Sequence, residues 1–189
     1  ECKQAMMNLL KANEIILRNG CRVKSVSKDY VELESGESIS CSFCVWATGA
    51  AAHDLSHSLK RNGLKMSTDG WIQVNDSLQS TSHENIFAAG DCATIQFEDG
   101  RYSPPKAGVY AVRSGPVLIE NISRYLKEES LISFDPQDDF LKLFACGDGT
   151  AVGFRFGIAF RGPWVFQLKD TIDRMFMDLF QVKKLPDMN

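Results

Sequence analysis

The sequence predicts an α/β fold, in which short buried strands end in turns of small residues and helices follow them. Two strands carry this prediction, because residues 43–46 lead into Ala47-Thr48-Gly49 and residues 86–89 lead into Gly90-Asp91. Small residues at a strand end let another backbone or a bound molecule approach closely. On both sides of these strands, alternating apolar and polar residues predict antiparallel hairpins. We therefore expect an α/β sheet that presents polar groups at its strand ends, with antiparallel additions.

The first quarter of the chain predicts a helix followed by an antiparallel meander. Alternation of apolar and polar residues is typical of half-buried strands, and Glu34-Ser35-Gly36-Glu37 is a hairpin turn signal. The predicted elements are a helix over residues 5–12, a short strand over 14–17, and strands over 22–26, 30–33 and 39–46.

The middle of the chain predicts a short helix over residues 55–60 and a strand over 71–74. A polar connection over residues 78–84 then leads into the apolar strand that ends in Gly-Asp. Beyond that strand, Ser103 is a suitable N-cap and Pro105 suits the first turn of a second helix.

One face of this second helix is almost free of side chains, because Ala107, Ala111 and Gly115 repeat every four residues. Tight packing of the helix on a sheet explains such a stripe, and so does the close approach of a flat ligand. Pro116 removes a backbone hydrogen bond, so the sequence also predicts a kink there.

The tail predicts two strands and an amphipathic helix. Residues 140–145 and 152–160 are the predicted strands, and Gly147-Asp148-Gly149 is the hairpin turn between them. The helix is expected from residue 162 through 181. Its apolar face consists of Val165, Leu168, Ile172, Met175, Phe176 and Leu179.

The Gly90-Asp91 pair is ambiguous alone, since glycine and aspartate after a strand also form ordinary tight turns. Together and in this order, the Ala-Thr-Gly and Gly-Asp strand ends resemble the carboxyl half of the pyridine nucleotide-disulfide oxidoreductase superfamily. These are flavoproteins with two dinucleotide-binding, Rossmann-like domains, and they include type II NADH dehydrogenases. The segment from Pro105 to Pro116 and the tail are similar to the branch that is fused in some organisms to selenide, water dikinase.

The resemblance implies FAD as cofactor, with NADH or NADPH as electron donor. It implies that residues 1–46 end the NAD(P)-binding domain, that 47–130 are the carboxyl-terminal part of the FAD-binding domain, and that 131–189 form a hairpin and helix tail. In that superfamily the Asp of Gly-Asp lies near the ribityl chain, and the positive end of the following helix can face the flavin pyrimidine. The residues placed at the cofactor are Ala47, Thr48, Gly49, Gly90, Asp91, Lys106 and Ala107.

The phosphate-binding motif of such domains is missing from the sequence. A flavin-binding βαβ unit carries G-x-G-x-x-G between a strand and a helix, and the 189 residues contain no such spacing. The sequence also starts without methionine, at Glu1. We therefore expect a fragment of a longer protein that does not hold FAD tightly by itself.

The implied reaction is hydride transfer from NAD(P)H to FAD and then electron transfer to a small-molecule acceptor; no catalytic residue is assigned. Disulfide reductases of the glutathione reductase type need a carboxyl-terminal histidine, and His53, His57 and His83 all precede Asp91. The alternatives are a membrane-associated NADH:quinone reductase and a non-catalytic interaction module. Lys106-Ala107-Gly108 and Arg113 stand where quinone-reducing enzymes carry a glutamine-bearing helix, which argues against quinone.

Composition excludes several other classes. The net charge of −3 gives no reason to expect nucleic acid, and no apolar run is long enough to span a membrane. Six cysteines include one C-x-x-C, Cys41 to Cys44, within predicted strand rather than at a helix start. A zinc site would need a second such pair, so we expect no metal and an intracellular, reducing location of undetermined organelle.

The tail helix is the expected contact with partners. Its apolar face fits docking or a homodimer through residues 164–181, and it also fits a membrane surface. Membrane-surface helices favour lysine and arginine on the polar face, whereas Asp170, Asp173 and Asp178 outnumber Lys169 and Arg174 here. Docking or dimerisation is therefore favoured over membrane binding.

Overall fold

A computed structural model describes residues 2–180, apart from the side chains of Cys2 and His57. The chain divides into two compact units: residues 1–45 with 139–189 form the first unit, and residues 46–138 form the second unit. In chain order the elements are α1 (Cys2–Ala12), β1 (Val23–Val26), β2 (Tyr30–Leu33), β3 (Ser38–Ser40), α2 (Asp54–Arg61), β4 (Ile72–Val74), a 3₁₀ turn (Gly90–Cys92), β5 (Ala93–Ile95), α3 (Gly108–Leu126), β6 (Lys142–Ala145), β7 (Ala151–Arg155), β8 (Ile158–Gly162) and α4 (Pro163–Asp178). The predicted α/β class is confirmed.

The first unit contains two antiparallel sheets of three strands each, in the orders β1-β2-β3 and β6-β7-β8. Helix α4 packs on the second of these sheets through Val165, which is fully buried. The aromatic ring of Phe160 lies over Gly153, where an added Cβ would come within 2.0 Å of it. That ring also stacks on Trp164, with 5.4 Å between the ring centroids.

The tail has three strands where the sequence predicts two. The predicted strand over residues 152–160 is divided, because Phe156 and Gly157 take positive φ values of 48° and 80°. These two residues turn the chain back, so that β8 pairs with β7 in an antiparallel hairpin. The predicted turn at Gly147-Asp148-Gly149 joins β6 to β7.

One predicted strand of the amino-terminal region is wrong, and another is shorter than predicted. Residues 14–17 form no strand, because Glu14 has a φ of 56° and the amide of Ile15 donates to Leu10 at 2.9 Å. The strand predicted over residues 39–46 ends at Ser40. The residues beyond it leave large apolar side chains in solvent, with Phe43 83% exposed.

The second unit is built around a short parallel pair, β4 and β5. Its core comprises Val74, Leu78, Ala88, Ala93, Ile95, Phe97 and Phe134, with Val117 and Leu118 of α3 packed against it. Asn121 of α3 is fully buried, and its amide nitrogen donates to the carbonyls of Ser77 and Ile132 at 2.8 Å each. Its amide oxygen accepts from the backbone of Ile132, also at 2.8 Å. Asn121 thereby ties α3 to two other segments.

Candidate cofactor site

The Gly-Asp turn of the second unit follows an extended segment. Residues 86–89 are not a strand of a sheet, which corrects the prediction, although Phe87 forms an isolated bridge with Gln79. The chain then makes one 3₁₀ turn over Gly90–Cys92 and enters β5. Asp91 therefore lies within a tight turn, and it is exposed.

Two constraints require glycine at position 90. Its φ is 71°, in the left-handed region that glycine tolerates best. In addition, a Cβ at this position would lie 3.3 Å from the Cβ of Ala111. The absence of a side chain at Gly90 therefore eases the close approach of this turn to α3.

Helix α3 begins four residues later than the sequence predicts, because its N-cap is residue 107 and not residue 103. Gly108 is its first residue, and Ala107 is its N-cap, in an extended conformation that makes no side-chain capping bond. Ser103 is not the cap: its hydroxyl accepts a hydrogen bond from the amide of Ile95 at 3.1 Å. Pro105 accordingly lies in the loop, and the first amides of α3 have no side-chain acceptor from the cap.

Lys106 reaches from this loop back towards β5. Its ammonium donates to the carbonyl of Ala93 and lies 5.0 Å from the centroid of the Trp71 ring. Burial lowers the pKa of Lys106 below its usual value, and the nearby carboxylates of Asp91 and Asp69 oppose that shift. The loop therefore holds a partly desolvated positive charge near Asp91.

Four of the seven predicted site residues line one small pocket: Gly90, Asp91, Lys106 and Ala107. The other walls come mainly from Ala89, Ala93, Ser103, Pro104, Pro105, Tyr110 and Ala111. The free volume is about 20 Å³, which is space for about one water molecule. A flavin ring does not fit inside this pocket, but its edge could lie against the mouth.

The remaining predicted site residues, Ala47, Thr48 and Gly49, do not line this pocket. All three are exposed and lie outside any helix or strand. The hydroxyl of Thr48 accepts a hydrogen bond from the indole of Trp46 at 2.9 Å. The structure thus brings together the Gly-Asp turn and the loop before α3, but it does not bring Ala-Thr-Gly to them.

The small residues along one face of α3 lie in two different environments. Ala111 packs against Gly90, as expected for close packing between backbone segments. A Cβ at Gly115, in contrast, would meet nothing within 4 Å. Internal packing therefore explains Ala111 and leaves Gly115 facing open space.

Some residues of the site were missed by the sequence prediction. Tyr110 lines the pocket, and its spacing of three from Ala107 could have indicated that both lie on one side of α3. Trp71 contacts Lys106 across 35 positions of the chain, and no local pattern indicates that pairing.

Five cysteines have side chains that the structure describes, and none of these five forms a disulfide. Cys21, Cys41, Cys44, Cys92 and Cys146 are free thiols. Cys92 lies beside Asp91, and its thiol donates to the carbonyl of Ala89 at 3.2 Å. No group of three or more metal-ligating side chains occurs among the residues that the structure describes.

The residues around this pocket fit one side of a flavin nucleotide. Gly90 leaves a close approach open, Asp91 offers an exposed carboxylate as hydrogen-bond acceptor, and the start of α3 offers amide donors. These are complementary to sugar hydroxyls and to the oxygen-bearing edge of a flavin ring.

Comparison with known proteins adds independent findings. The sequence model of a family described as pyridine nucleotide-disulphide oxidoreductase matches residues 1–115. A probable NADH dehydrogenase of Dictyostelium discoideum is 36% identical over 107 residues, which are 57% of this chain and 22% of that protein. The type II NADH:quinone oxidoreductase of Haemophilus influenzae is 30% identical over 120 residues, covering 64% of this chain and 26% of that enzyme.

One solved structure has a similar fold over nearly the whole chain. The sulfide:quinone oxidoreductase of Aquifex aeolicus superposes with a TM-score of 0.72 at 17% identity, covering 93% of this chain and 44% of that one. At that identity the likeness concerns the fold alone. In each of these three comparisons the chain spans less than half of the matched protein.

Proposed function

The chain belongs to the pyridine nucleotide-disulphide oxidoreductase family, and from this we propose that it forms part of a flavoprotein oxidoreductase. NADH or NADPH is the proposed donor and a small molecule the acceptor; bound FAD would carry electrons between them. The relatives named above are oxidoreductases. The contact of Gly90 with Ala111 carries the proposal, because it holds an exposed carboxylate beside the start of a helix.

Each proposed role follows from the chemistry of the residue. The carboxylate of Asp91 would accept a hydrogen bond from a cofactor hydroxyl. The first amides of α3, at Gly108 and Val109, would donate to the cofactor ring, where the positive end of the helix also favours negative charge. Lys106 would add a fixed positive charge close to the same position.

Binding of the whole cofactor needs further polypeptide. The 189 residues lack G-x-G-x-x-G, which binds pyrophosphate in such domains. Polypeptide outside these residues would supply those contacts, and Ala47, Thr48 and Gly49 are proposed to reach the cofactor only in that assembly. The division into an NAD(P)-binding part, an FAD-binding part and a tail likewise stays a prediction.

Flavin content tests the proposed function. The protein in its longest natural form should be yellow after purification or reconstitution with FAD, and NADH or NADPH should bleach it. In Asp91→Ala, FAD should bind about 10- to 100-fold more weakly, because a hydrogen bond to a charged group contributes about 1.5–3 kcal/mol. Glu129→Ala removes an exposed carboxylate from the same unit and serves as control.

The outcomes separate the alternatives. A natural-length protein that binds no FAD would refute the oxidoreductase proposal and favour the non-catalytic interaction module. Unchanged FAD affinity in a folded Asp91→Ala protein would instead show that the cofactor lies elsewhere. Circular dichroism of both variants checks that the fold is retained.

Quinones are the acceptors that we propose to test first. The Haemophilus influenzae relative is a quinone reductase by name, although Lys106-Ala107-Gly108 departs from the glutamine-bearing helix of such enzymes. The 189 residues contain no histidine after Asp91 that could serve as the acid/base of a glutathione reductase type of disulfide reduction. Steady-state oxidation of NADH with and without a quinone measures this preference.

Helix α4 is the surface that we propose for docking or homodimer formation. Most of its predicted apolar face is solvent-exposed in this structure, with Met175 66% exposed. Lys169 pairs with Asp173 and Arg174 with Asp170 along the helix, so both cations are already engaged. This self-pairing disfavours attraction to anionic lipids.

Sedimentation with liposomes tests the membrane alternative. Binding by the protein above that of a variant lacking residues after 162 would support the membrane surface, and its absence would support docking. No helix within residues 2–180 is both apolar and long enough to span a bilayer. The free thiols fit a reducing compartment, which supports the proposed intracellular location.

A further inference from the structure

The tripeptide Arg-Asn-Gly occurs twice in the chain, once in each compact unit. It spans residues 18–20 in the first unit and residues 61–63 in the second unit. An asparagine followed by glycine is chemically labile, because glycine has no side chain to hinder attack of its amide nitrogen on the asparagine side chain. Since the two tripeptides are identical, a difference in their reactivity reflects mainly the structure around them.

The first tripeptide lies in the irregular segment between α1 and β1, where Asn19 and Gly20 are both exposed. The backbone carbonyl of Asn19 accepts a hydrogen bond from the thiol of Cys21 at 3.5 Å. Among the residues that the structure describes, none bonds to the side-chain amide of Asn19 or to the backbone amide of Gly20. A Cβ at Gly20 would meet nothing within 4 Å. The attacking nitrogen and the carbon that it attacks therefore both have space to move.

The second tripeptide has the opposite surroundings, because Asn62 ends helix α2. Its backbone amide donates to the carbonyls of Ser58 and Leu59, and its side-chain amide donates to the carbonyl of Ser58 at 3.0 Å. The amide of Gly63 donates to the carbonyl of Lys60 at 3.1 Å. Attack by this nitrogen requires both the side chain of Asn62 and the amide of Gly63 to leave their partners.

The residue that follows each tripeptide strengthens this contrast. Leu64 is 3% exposed, and its amide donates to the carbonyl of Leu59 at 3.1 Å. Cys21, at the corresponding position of the first tripeptide, is exposed. Local opening is therefore more costly around Asn62 than around Asn19.

We propose that Asn19 is a site of spontaneous deamidation, and that the end of α2 protects Asn62. The nitrogen of Gly20 forms a bond to the side-chain carbonyl carbon of Asn19, and the side-chain nitrogen leaves as ammonia with the proton that Gly20 loses. Water then opens the resulting succinimide ring at either carbonyl. The products are aspartate and isoaspartate at position 19, and neither step needs an oxidant or a reductant.

Deamidation would change a balanced group of charges around the first tripeptide. Arg18 pairs with Glu37 at 2.6 Å, and Arg22 pairs with Glu34 at 3.3 Å. Both carboxylates belong to the turn between β2 and β3, so ion pairs to one turn flank the site on its two sides. Either product adds a negative charge between these pairs. Isoaspartate also lengthens the main chain between Arg18 and Arg22.

Peptide mapping of the natural-length protein tests the proposal. After storage of the folded protein at physiological pH and temperature, Asn19 should have reacted at least about tenfold faster than Asn62. An opening step that costs only about 1.4 kcal/mol at Asn62 is enough for this ratio. Mass spectrometry detects the replacement of the amide by a carboxylate, and an isoaspartate-specific methyltransferase distinguishes the two products.

Urea provides the matched comparison, because unfolding removes the structure around both tripeptides. The two rates should then agree within about threefold. In the folded protein, Gly20→Ala should slow the reaction at Asn19 by hindering the nitrogen, and it should leave the rate at Asn62 unchanged. Absence of reaction at Asn19, equal rates in the folded protein, or a difference that persists in urea would overturn the proposal. None of these outcomes depends on whether the protein binds FAD.

Discussion

The two antiparallel sheets of the first unit and residues 86–89 of the second unit differ in how much strand pairing they form. Each strand of those sheets pairs with its neighbour along the chain, across a connection of a few residues. Residues 86–89 are apolar, yet their pairing with residues 78–80 is one isolated bridge, supported by two backbone hydrogen bonds. Residues 43–46 belong to no helix or strand and expose Phe43, Val45 and Trp46.

The parallel pair of the second unit adds a contrast between local and non-local strand pairing. Antiparallel strands can be joined by a two-residue hairpin, whereas parallel strands need a crossover of a dozen residues or more. Within residues 2–180 the single parallel pair, β4 with β5, has just such a long connection. An apolar pattern predicts that a segment is extended and buried, but it does not indicate which strand will pair with that segment.

The largest effect should come from closing the space over Gly153 in β7. In Gly153→Ala the new methyl group would meet the Phe160 ring, which cannot move without losing its stacking on Trp164. We expect the free energy of unfolding to fall by about 3 kcal/mol, as in other overpacked cores. Urea denaturation measures it.

Gly115→Ala is the control for that substitution, because a Cβ in the middle of α3 meets nothing. It should raise the free energy of unfolding by about 0.5–1 kcal/mol through better helix propensity. Equal effects of the two variants would contradict the packing described for β7.

Asn121→Ala should have the next largest effect. It leaves the carbonyls of Ser77 and Ile132 and the amide of Ile132 without their buried partner. We expect a loss of about 2 kcal/mol, from the cost of unsatisfied buried polar groups. Thermal denaturation of the variant beside Asn62→Ala, an exposed helix-end residue, measures the difference.

Gly90→Ala tests whether the cofactor pocket depends on close backbone approach. The new residue would need a φ of 71° and would crowd Ala111. We expect a loss of about 1–2 kcal/mol, together with weaker FAD binding in the natural-length protein. Gly100 also has a positive φ, but a Cβ there would meet nothing within 4 Å, so Gly100→Ala has the backbone strain without the crowding. If the two variants behave alike, crowding at Ala111 contributes nothing.

Acid should weaken the hairpin between β6 and β7 through Asp148. Hydrogen bonds from Thr150, followed by the charge of Arg161, hold the pKa of Asp148 below its usual value. Its stabilising contribution is therefore fully present above a pH of about 4 and is lost as the pH falls through the lowered pKa. The stability difference between the protein and Asp148→Asn should vanish in strong acid. A difference that persists there would contradict this origin.

The smallest effect should come from Phe43→Ser in the extended segment before Ala-Thr-Gly. Phe43 is 83% exposed, so the change should lie within about 0.5 kcal/mol in this chain. Urea denaturation measures it. A loss as large as that of Asn121→Ala would show that the segment is packed and would remove the contrast between the two regions.

The sequence predicts well what depends on neighbours along the chain. The meander of β1, β2 and β3 and the helices α1, α2 and α4 follow from periodicity and turn residues. Phe156-Gly157 escaped prediction, because a turn in the middle of an apolar run has no distinctive composition. The start of α3 was misplaced because the hydroxyl of Ser103 accepts a hydrogen bond from Ile95 at the end of β5 and does not cap the helix.

The candidate site is predictable to the same extent. Gly90 and Asp91 lie in the turn just before β5, and Lys106 and Ala107 lie at the end of the loop between β5 and α3. The four residues line one pocket, and they belong to neighbouring segments of the chain. The contacts of Lys106 with Trp71 and of Gly90 with Ala111 depend on tertiary packing. Sequence patterns identify such residues as small or charged without indicating which of them meet.

Asn121 also bears on the order in which the second unit can fold. Its contact with Ile132 closes a loop of 11 residues, whereas its contact with Ser77 spans 44. Two doublings of loop length add about 1.2 kcal/mol of closure entropy. The contact between the end of α3 and the segment after it can therefore form early. The contact of Asn121 with the turn after β4 then forms in a slower, non-local step.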